Sequence, residues 1–528
     1  MPSIFFLFFF FGCGVGQATQ EFAPRMNILQ IAFIAFFVHR VFITVHRLYF
    51  HPLSSFPGPK LAAVTSLYET WYAVLSPTSV PWPEYERTVL HPRYGPIVRV
   101  RPDALHVSDP AAFRQIHKAG RKFKKARYFY GSFKLDNSVF GDLDVDFQRE
   151  RKALMAPLFA KPEIVGRYEE LVRERTSFLM NRISRIVADK GGKGVVLMKT
   201  AISALVADIA ADVIFKGSYG ILNSKDMTHP VTESVDLFND TVPIFIYFPL
   251  LIPLLESIPD WFMSRVFPSG SGQNRLIEAI TKMVDALEQG KKTGNLKSEE
   301  RQSVVAQLLD HLDAKTLVVE CFSVFGAAVH TTQWSIQRTI YHLAANPSIQ
   351  QKVFEELKSA YPQRDSEITS AELESLPYFV AVMKEALRLS HAVSGSLPRE
   401  APPDGHTELC GRHIPPGTIL ESDIYHIHLN DSLFPDAHKF EPGRWLQGDR
   451  SKALEKYLVP YSMGSYMCLG YTLANLVMYV SVAKLVRRFE IELTPELEKE
   501  GFRFATPWTA VKRGAKIEFI FRERAESE

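Results

Sequence analysis

Cysteine is scarce in this chain: four occur in 528 residues, at positions 13, 321, 410 and 468. None stands in a Cys-x-x-Cys pair or in a His/Cys cluster at zinc spacing. A disulfide framework is therefore excluded, and the folded body is expected in a reducing compartment. Any cysteine with a chemical role must act as a lone thiolate. An excess of one charge sign is also missing: 61 basic and 58 acidic residues leave a formal net charge of +3. With no sustained basic run carrying interleaved aromatics, the chain is not expected to bind nucleic acid. Internal repeats are absent. Hydrophobic residues make up 46% and charged residues 23%, the balance of a folded globular protein.

Long apolar runs are confined to the N-terminus. The first, Ile4–Phe11, is short for a membrane span, which needs ~20 residues. The second, Ile28–Val45, is interrupted by His39-Arg40 and followed by His46-Arg47, side chains suited to a membrane interface. Some part of residues 4–45 is expected to form one uncleaved anchor, with a cytosolic body. His51-Pro52-Leu53-Ser54-Ser55-Phe56-Pro57-Gly58-Pro59 cannot continue a helix and reads as a stiff connector. The expected organisation is an anchor region over 1–50, a proline-rich linker over 51–63 and a catalytic domain over 64–528.

The body reads as mainly α with small β-sheets. Strand formers flank the turn Arg101-Pro102-Asp103, predicting a hairpin over Ile97–Val107. Helical spacing of apolar residues predicts helices over 146–160, 161–188, 199–216, 274–290, 348–360, 378–390 and Tyr471–Arg488. Leu312–Ala345 reads as a long buried helix, apolar nearly all round through Val318–Val329 and stopped at Asn346-Pro347. Residues 411–440 read as strands and turns, and Lys516–Phe521 as a closing strand.

The loop Tyr461-Ser462-Met463-Gly464-Ser465-Tyr466-Met467-Cys468-Leu469-Gly470 leads into the Tyr471 helix. Its glycines permit a tight turn and close approach of a flat ligand. Cys468, just before a helix N-terminus, sits where the dipole favours thiolate. Such a thiolate suits haem iron; a buried apolar thiol is the other reading of a single cysteine.

This loop resembles the haem-binding signature of the cytochrome P-450 family, Phe-x-x-Gly-x-Arg-x-Cys-x-Gly. Gly464, Cys468 and Gly470 match, Tyr461 replaces the Phe, and Tyr466 stands at the Arg. Two further elements are similar to the family's. Glu385-Ala386-Leu387-Arg388 matches Glu-x-x-Arg, and Phe440-Glu441-Pro442-Gly443-Arg444 matches Phe-x-Pro-x-Arg, so Glu385, Arg388 and Arg444 are the implied structural triad. Ala327-Ala328-Val329-His330-Thr331-Thr332 resembles the oxygen-side motif, in which Thr331 aligns with the Thr that serves dioxygen and proton delivery. The resemblance further implies haem b with an axial Cys468 thiolate. Arg151 and Arg399 are the implied propionate partners, Arg151 following Phe147 at the family's Trp-x-x-x-Arg spacing. It also implies a substrate pocket lined by Tyr128–Tyr130, Phe325, Ala328 and Val393–Leu397.

The implied activity is insertion of one oxygen atom from O2 into a hydrophobic small molecule, a terpenoid or other specialised metabolite as in similar fungal microsomal proteins. The implied partners are a membrane and an NADPH-dependent reductase, docking near Arg149, Arg151 and Lys152. The implied location is the endoplasmic reticulum membrane, facing the cytosol. Two departures matter: His330 replaces the acid that relays protons, and Tyr466 replaces a cation, so haem retention is expected to be weaker than with Arg. A reductase-independent haem-thiolate isomerase and a degenerate haem-binding protein are the alternatives.

Overall fold

The computed structural model describes residues 27–525 apart from 77–79, 121, 259–261, 263, 264, 266–270, 506 and 507. The apolar stretch Ile4–Phe11 and Cys13 lie outside the described residues. The chain divides into two units, Met1–His51 and Pro52–Glu528.

In the first unit, Asn27 and Gln30 form a reciprocal capping box that starts the helix Ile28–Val45. A π-turn, His46–Phe50, continues it. Together they give 23 residues, none of them buried, with a mean hydropathy of 2.1 over the 18-residue apolar window. At 1.5 Å per residue that is about 34 Å, enough to cross a hydrocarbon core of ~30 Å. This helix is compatible with a membrane anchor.

The second unit begins with the proline segment, which is docked against the body. Leu53 and Phe56 are buried in one apolar cluster with Ile97, Leu105 and Leu420. The Pro57 carbonyl accepts from the Arg99 backbone N–H at 2.7 Å. A Cβ on Gly58 would collide with the Arg99 carbonyl oxygen, so only glycine allows this approach.

The predicted helices form with small shifts at their ends: Val145–Met155, Lys161–Asp189, Met198–Phe215, Ser271–Lys292, Pro347–Ala360, Pro377–Ser390 and Tyr471–Arg488. The long helix runs Ala314–Ala345, capped by Asp313, whose side chain accepts from Thr316 N–H at 3.0 Å. It crosses the core, packed on Met198–Phe215, Pro377–Ser390 and Tyr471–Arg488. Several shorter helices and two that bear on the site escape the sequence pattern. Pro230–Tyr247 carries Pro243 in its interior, which reads as a breaker although the helix persists past it. Ile424–His428 lies inside the stretch read as strand and turn, nucleated by the Asp423 cap.

The main sheet has the order Ile97–Arg99, Ala104–Val107, Ile419–Glu421, Arg399–Glu400, Lys124–Lys125. The first pair is the antiparallel hairpin, Ile97 opposite Val107. At the far edge Lys125 stands opposite Arg399. The closing strand, Glu518–Glu523, pairs with Lys193–Leu197 and Phe489–Leu493 in a separate sheet.

Glu385, on Pro377–Ser390, is fully buried and accepts from five donors. They are Arg388 Nε (2.9 Å) and Nη2 (2.8 Å), Arg444 Nε (3.0 Å), Trp445 Nε1 (2.9 Å) and Glu441 N–H (2.9 Å). Arg388 spends its remaining donors on the His428, Ala437 and Lys439 carbonyls. One helix is thereby bolted to the irregular segment that precedes the cysteine loop. Removing one partner of such a group leaves a buried charge uncompensated, costing about 3–5 kcal/mol. We expect Glu385→Ala to lower the unfolding free energy by that amount, seen as a lower urea midpoint by tryptophan fluorescence; a midpoint equal to the parent's would contradict this role.

Candidate active site

The long helix, the cysteine loop and the start of the Tyr471–Arg488 helix enclose a cavity of ≈ 350 Å³. Phe322, Ser323, Gly326, Ala327, His330 and Thr331 form one wall, following the i, i+4 spacing of a single helix face. Cys468, Tyr466, Met467 and Gly470 face them.

The cysteine loop is held by its own backbone and by one lysine. Cys468 N–H donates to the Tyr461 carbonyl at 2.9 Å. Lys152 Nζ donates to the Ser465 and Met467 carbonyls, both at 2.9 Å. Gly464 has φ +68, and a Cβ there would strike the His117 carbonyl oxygen, so the turn requires glycine. Gly470 caps the following helix, and a Cβ there would meet nothing within 4 Å. Tyr461 donates its hydroxyl to Asn475 Oδ1 at 2.6 Å.

Among the described cysteines only Cys468 lines the cavity. Its accessible surface faces that interior space, which reconciles its exposure with its position deep in the chain. Burial pushes its thiol up, while the Gly470 backbone N–H and the Lys152 ammonium pull toward thiolate. The net direction is upward, so the helix-dipole advantage expected from the sequence is outweighed by desolvation. Cys321 is buried on the long helix and its thiol is pushed well above its ordinary value by desolvation.

Cations gather on one side. Arg399, Lys125 and Lys152 line the cavity, and no Asp or Glu does among the described residues. Strand register brings Lys125 and Arg399 together. Arg399 donates to the Tyr130 hydroxyl at 2.5 Å, and its Nε has no hydrogen-bond partner although the residue is buried. The Tyr466 ring lies 4.6 Å from the Arg399 guanidinium carbon and 5.5 Å from Lys125 Nζ, an arrangement of cation–π contacts.

Arg151 does not line the cavity. Its guanidinium is buried against Glu320 at 2.8 Å and over the Phe147 ring at 4.8 Å. The pair that this helix turns inward is Gln148 and Lys152, at the same four-residue spacing one position later. A docking surface built on Arg149, Arg151 and Lys152 is therefore corrected. Arg151 is buried and Lys152 is committed to the cysteine loop, and Arg149 alone stays on the surface, paired with Asp146.

On the long helix, Thr331 lines the cavity and its hydroxyl donates back to the Ala327 carbonyl at 2.8 Å. His330 also lines it. Nε2 lies 3.2 Å from the Ala510 carbonyl, and Nδ1 faces Asp236 Oδ1 at 3.9 Å. Burial pushes the Asp236 carboxyl up, but His330 and Lys199 together hold it below the usual carboxylate range. Ala328, Val393, Leu397 and Tyr130 line the cavity as expected from the resemblance. Phe325, Tyr128 and Phe129 do not. Phe325 turns to the other side of its helix against Tyr219, and Tyr128 is drawn off by Glu421 and Arg101. Lys125, Gln148, Phe238, Asn239, Trp508 and Thr509 line the cavity without a local sequence signal.

A family-wide sequence profile described as Cytochrome P450 matches residues 82–515. The chain is similar to cytochrome P450 monooxygenase tpcC of Cochliobolus heterostrophus, 31% identical over 482 residues, covering 88% of this chain and 89% of that one. It is also similar to conidiogenone synthase PchP450 of Penicillium rubens, 32% identical over 480 residues, covering 88% and 93%. Cytochrome P450 monooxygenase BOT1 of Botryotinia fuckeliana is 28% identical over 507 residues, 94% and 96% of the two chains. A profile matched over most of the length, fungal relatives at this identity, and a lone thiol facing an apolar cavity converge. The chain belongs to the cytochrome P450 family of haem-thiolate monooxygenases.

Proposed function

We propose that this enzyme inserts one oxygen atom from O2 into a hydrophobic small molecule, a terpenoid or similar specialised metabolite, using haem b held by Cys468. The observation that carries this reading is the composition of one cavity: among the described residues it has a single thiol, three cations, no carboxylate and mostly apolar walls. These residues fit the group. Cys468 would offer its sulfur to the iron; Arg399, with an unpartnered Nε, would hold a propionate, with Lys125 and Lys152 as neighbouring positive charges; the open space at Gly470 suits a flat ring. Bound there, haem supplies the activation of dioxygen.

The chain's own residues provide orientation and protons. Phe133, Phe238, Phe322, Val393 and Leu397 would pack an apolar substrate. The Trp508 indole N–H is buried beside the cavity without a partner and would take one acceptor oxygen. Thr331 presents a hydroxyl whose lone pairs remain able to accept. The motif's missing acid has a substitute on the neighbouring helix. Lys199 Nζ meets Asp236 Oδ2 at 2.9 Å, and Asp236 Oδ1 faces His330 Nδ1 at 3.9 Å. Lys199 reaches solvent, so Lys199–Asp236–His330 supports a proton path from the surface to the cavity wall. Electrons would come from an NADPH-dependent reductase. The apolar helix Ile28–Val45, followed by the turn His46–Phe50 with its basic Arg47, supports an endoplasmic reticulum membrane anchor with the body in the cytosol.

Microsomes carrying this chain and a reductase, supplied with 18O2 and a panel of terpenoids, should yield a product containing one 18O atom, and only with NADPH. Turnover without NADPH would replace this reading with the isomerase, and haem loading without turnover of any substrate with the degenerate binder. For the relay, Asp236→Asn should lower product formed per NADPH consumed by roughly a hundredfold, the low end of a general acid–base contribution. His330→Asp, which restores the acid, should keep that ratio at or above the parent's. Unchanged ratios in both variants would remove the path from the mechanism.

A further inference from the structure

Five ionisable side chains meet in the body at a place that none of them shares with the active-site cavity. Glu86 comes from the π-turn Glu86–Leu90, His91 follows it, and His106 comes from the strand Ala104–Val107. Asp423 and His426 come from the cap and first turn of Ile424–His428. Glu86, His106, Asp423 and His426 are each at least 96% buried. One nitrogen or oxygen from each of these four lies within 4.8 Å of every other.

Hydrogen bonding fixes where the lone pairs point. The Gly95 carbonyl lies 2.8 Å from His91 Nδ1, and a carbonyl only accepts, so Nδ1 carries the hydrogen. His91 Nε2 is then an acceptor, and it meets His106 Nδ1 at 2.7 Å, so that nitrogen donates. In a neutral ring His106 Nε2 is left with a lone pair. It faces Asp423 Oδ2 at 3.0 Å and Glu86 Oε2 at 3.9 Å, lone pair against lone pair. Both oxygens of Glu86 and Nε2 of His426 have no hydrogen-bond partner. Asp423 already accepts from His426 Nδ1 at 2.9 Å and from the His426 backbone N–H at 2.7 Å, so Glu86 is the carboxylate left unanswered. A buried carboxylate without donors is costly unless it takes up a proton, the direction in which burial pushes Glu86, or a cation compensates it.

We propose that Glu86, His106, Asp423 and His426 hold a divalent metal ion of the zinc type, with His91 fixing the tautomer of His106. Two imidazoles and two carboxylates form a closed set of four donors, as in structural zinc sites. Ligands at ~2.0–2.1 Å from one zinc stand about 3.3 Å apart, so the observed 3.0 and 3.9 Å separations need only sub-ångström adjustment. His91 donating to a carbonyl and accepting from His106 is the outer support that orients a ligand ring. The ion would pin the turn before the hairpin to the segment that follows the central strand.

The full-length holoprotein, purified in detergent and dialysed against chelator in metal-free buffer, should contain one zinc per chain by plasma mass spectrometry. Glu86→Gln and His106→Gln should retain less than a tenth of it while keeping the parent's haem iron. Absence of zinc from the parent even after loading with zinc chloride would overturn the proposal in favour of a proton-sharing network. Retention of zinc by both variants would overturn it too. Should the variants fail to fold, the zinc K-edge spectrum of the parent decides: nitrogen and oxygen neighbours agree with the proposal, and sulfur contradicts it.

Discussion

Glu385 sits where no water reaches and receives two bonds from Arg388, one each from Arg444 and Trp445, and a backbone N–H from Glu441. Arg388 in turn collects three carbonyls from the irregular chain between His428 and Lys439. That stretch has little regular ladder to satisfy its own backbone, so these side chains do the work that a sheet would otherwise do. The cysteine loop follows after the short helical turns Pro442–Leu446 and Asp449–Glu455. Its position relative to the long helix depends on this anchoring, because its own internal restraints are few: one backbone bond at Cys468, the glycine turn at 464 and the two bonds from Lys152.

The electrostatics of the cavity follow from the same architecture. Strand pairing brings Lys125 beside Arg399, and a helix turns Lys152 toward the loop, while the Glu320 carboxylate is taken by Arg151. Like charges gathered at an apolar interior need anionic company, which two propionates would supply. Tyr466 fits this arrangement differently from the arginine common in the family. Its ring face accepts the cations already present instead of adding another.

Much of this was legible in the chain because the informative contacts are local. Glu385 and Arg388 share a helix face, and the spacing of Gly464, Cys468 and Gly470 describes one continuous loop. Neighbouring helical residues point ~100° apart, so spacing alone does not distinguish Phe147/Arg151 from Gln148/Lys152; packing against Glu320 makes the choice. The same rotation takes Phe325 out of a wall that Phe322 and Gly326 form. Asp236 lies on a helix that Pro243 disguises. Glu86, His106 and Asp423 are brought together by a parallel strand pairing across more than 300 residues, which no local pattern encodes.

The central claim is that Cys468 ligates haem iron as thiolate. Its most direct test is the absorption spectrum of the reduced, carbon monoxide-bound protein, recorded beside a Cys468→Ala control. The account predicts a strongly red-shifted Soret band in the parent that is lost in the control. A folded, haem-loaded parent lacking that band, or a control that keeps it, would contradict the account.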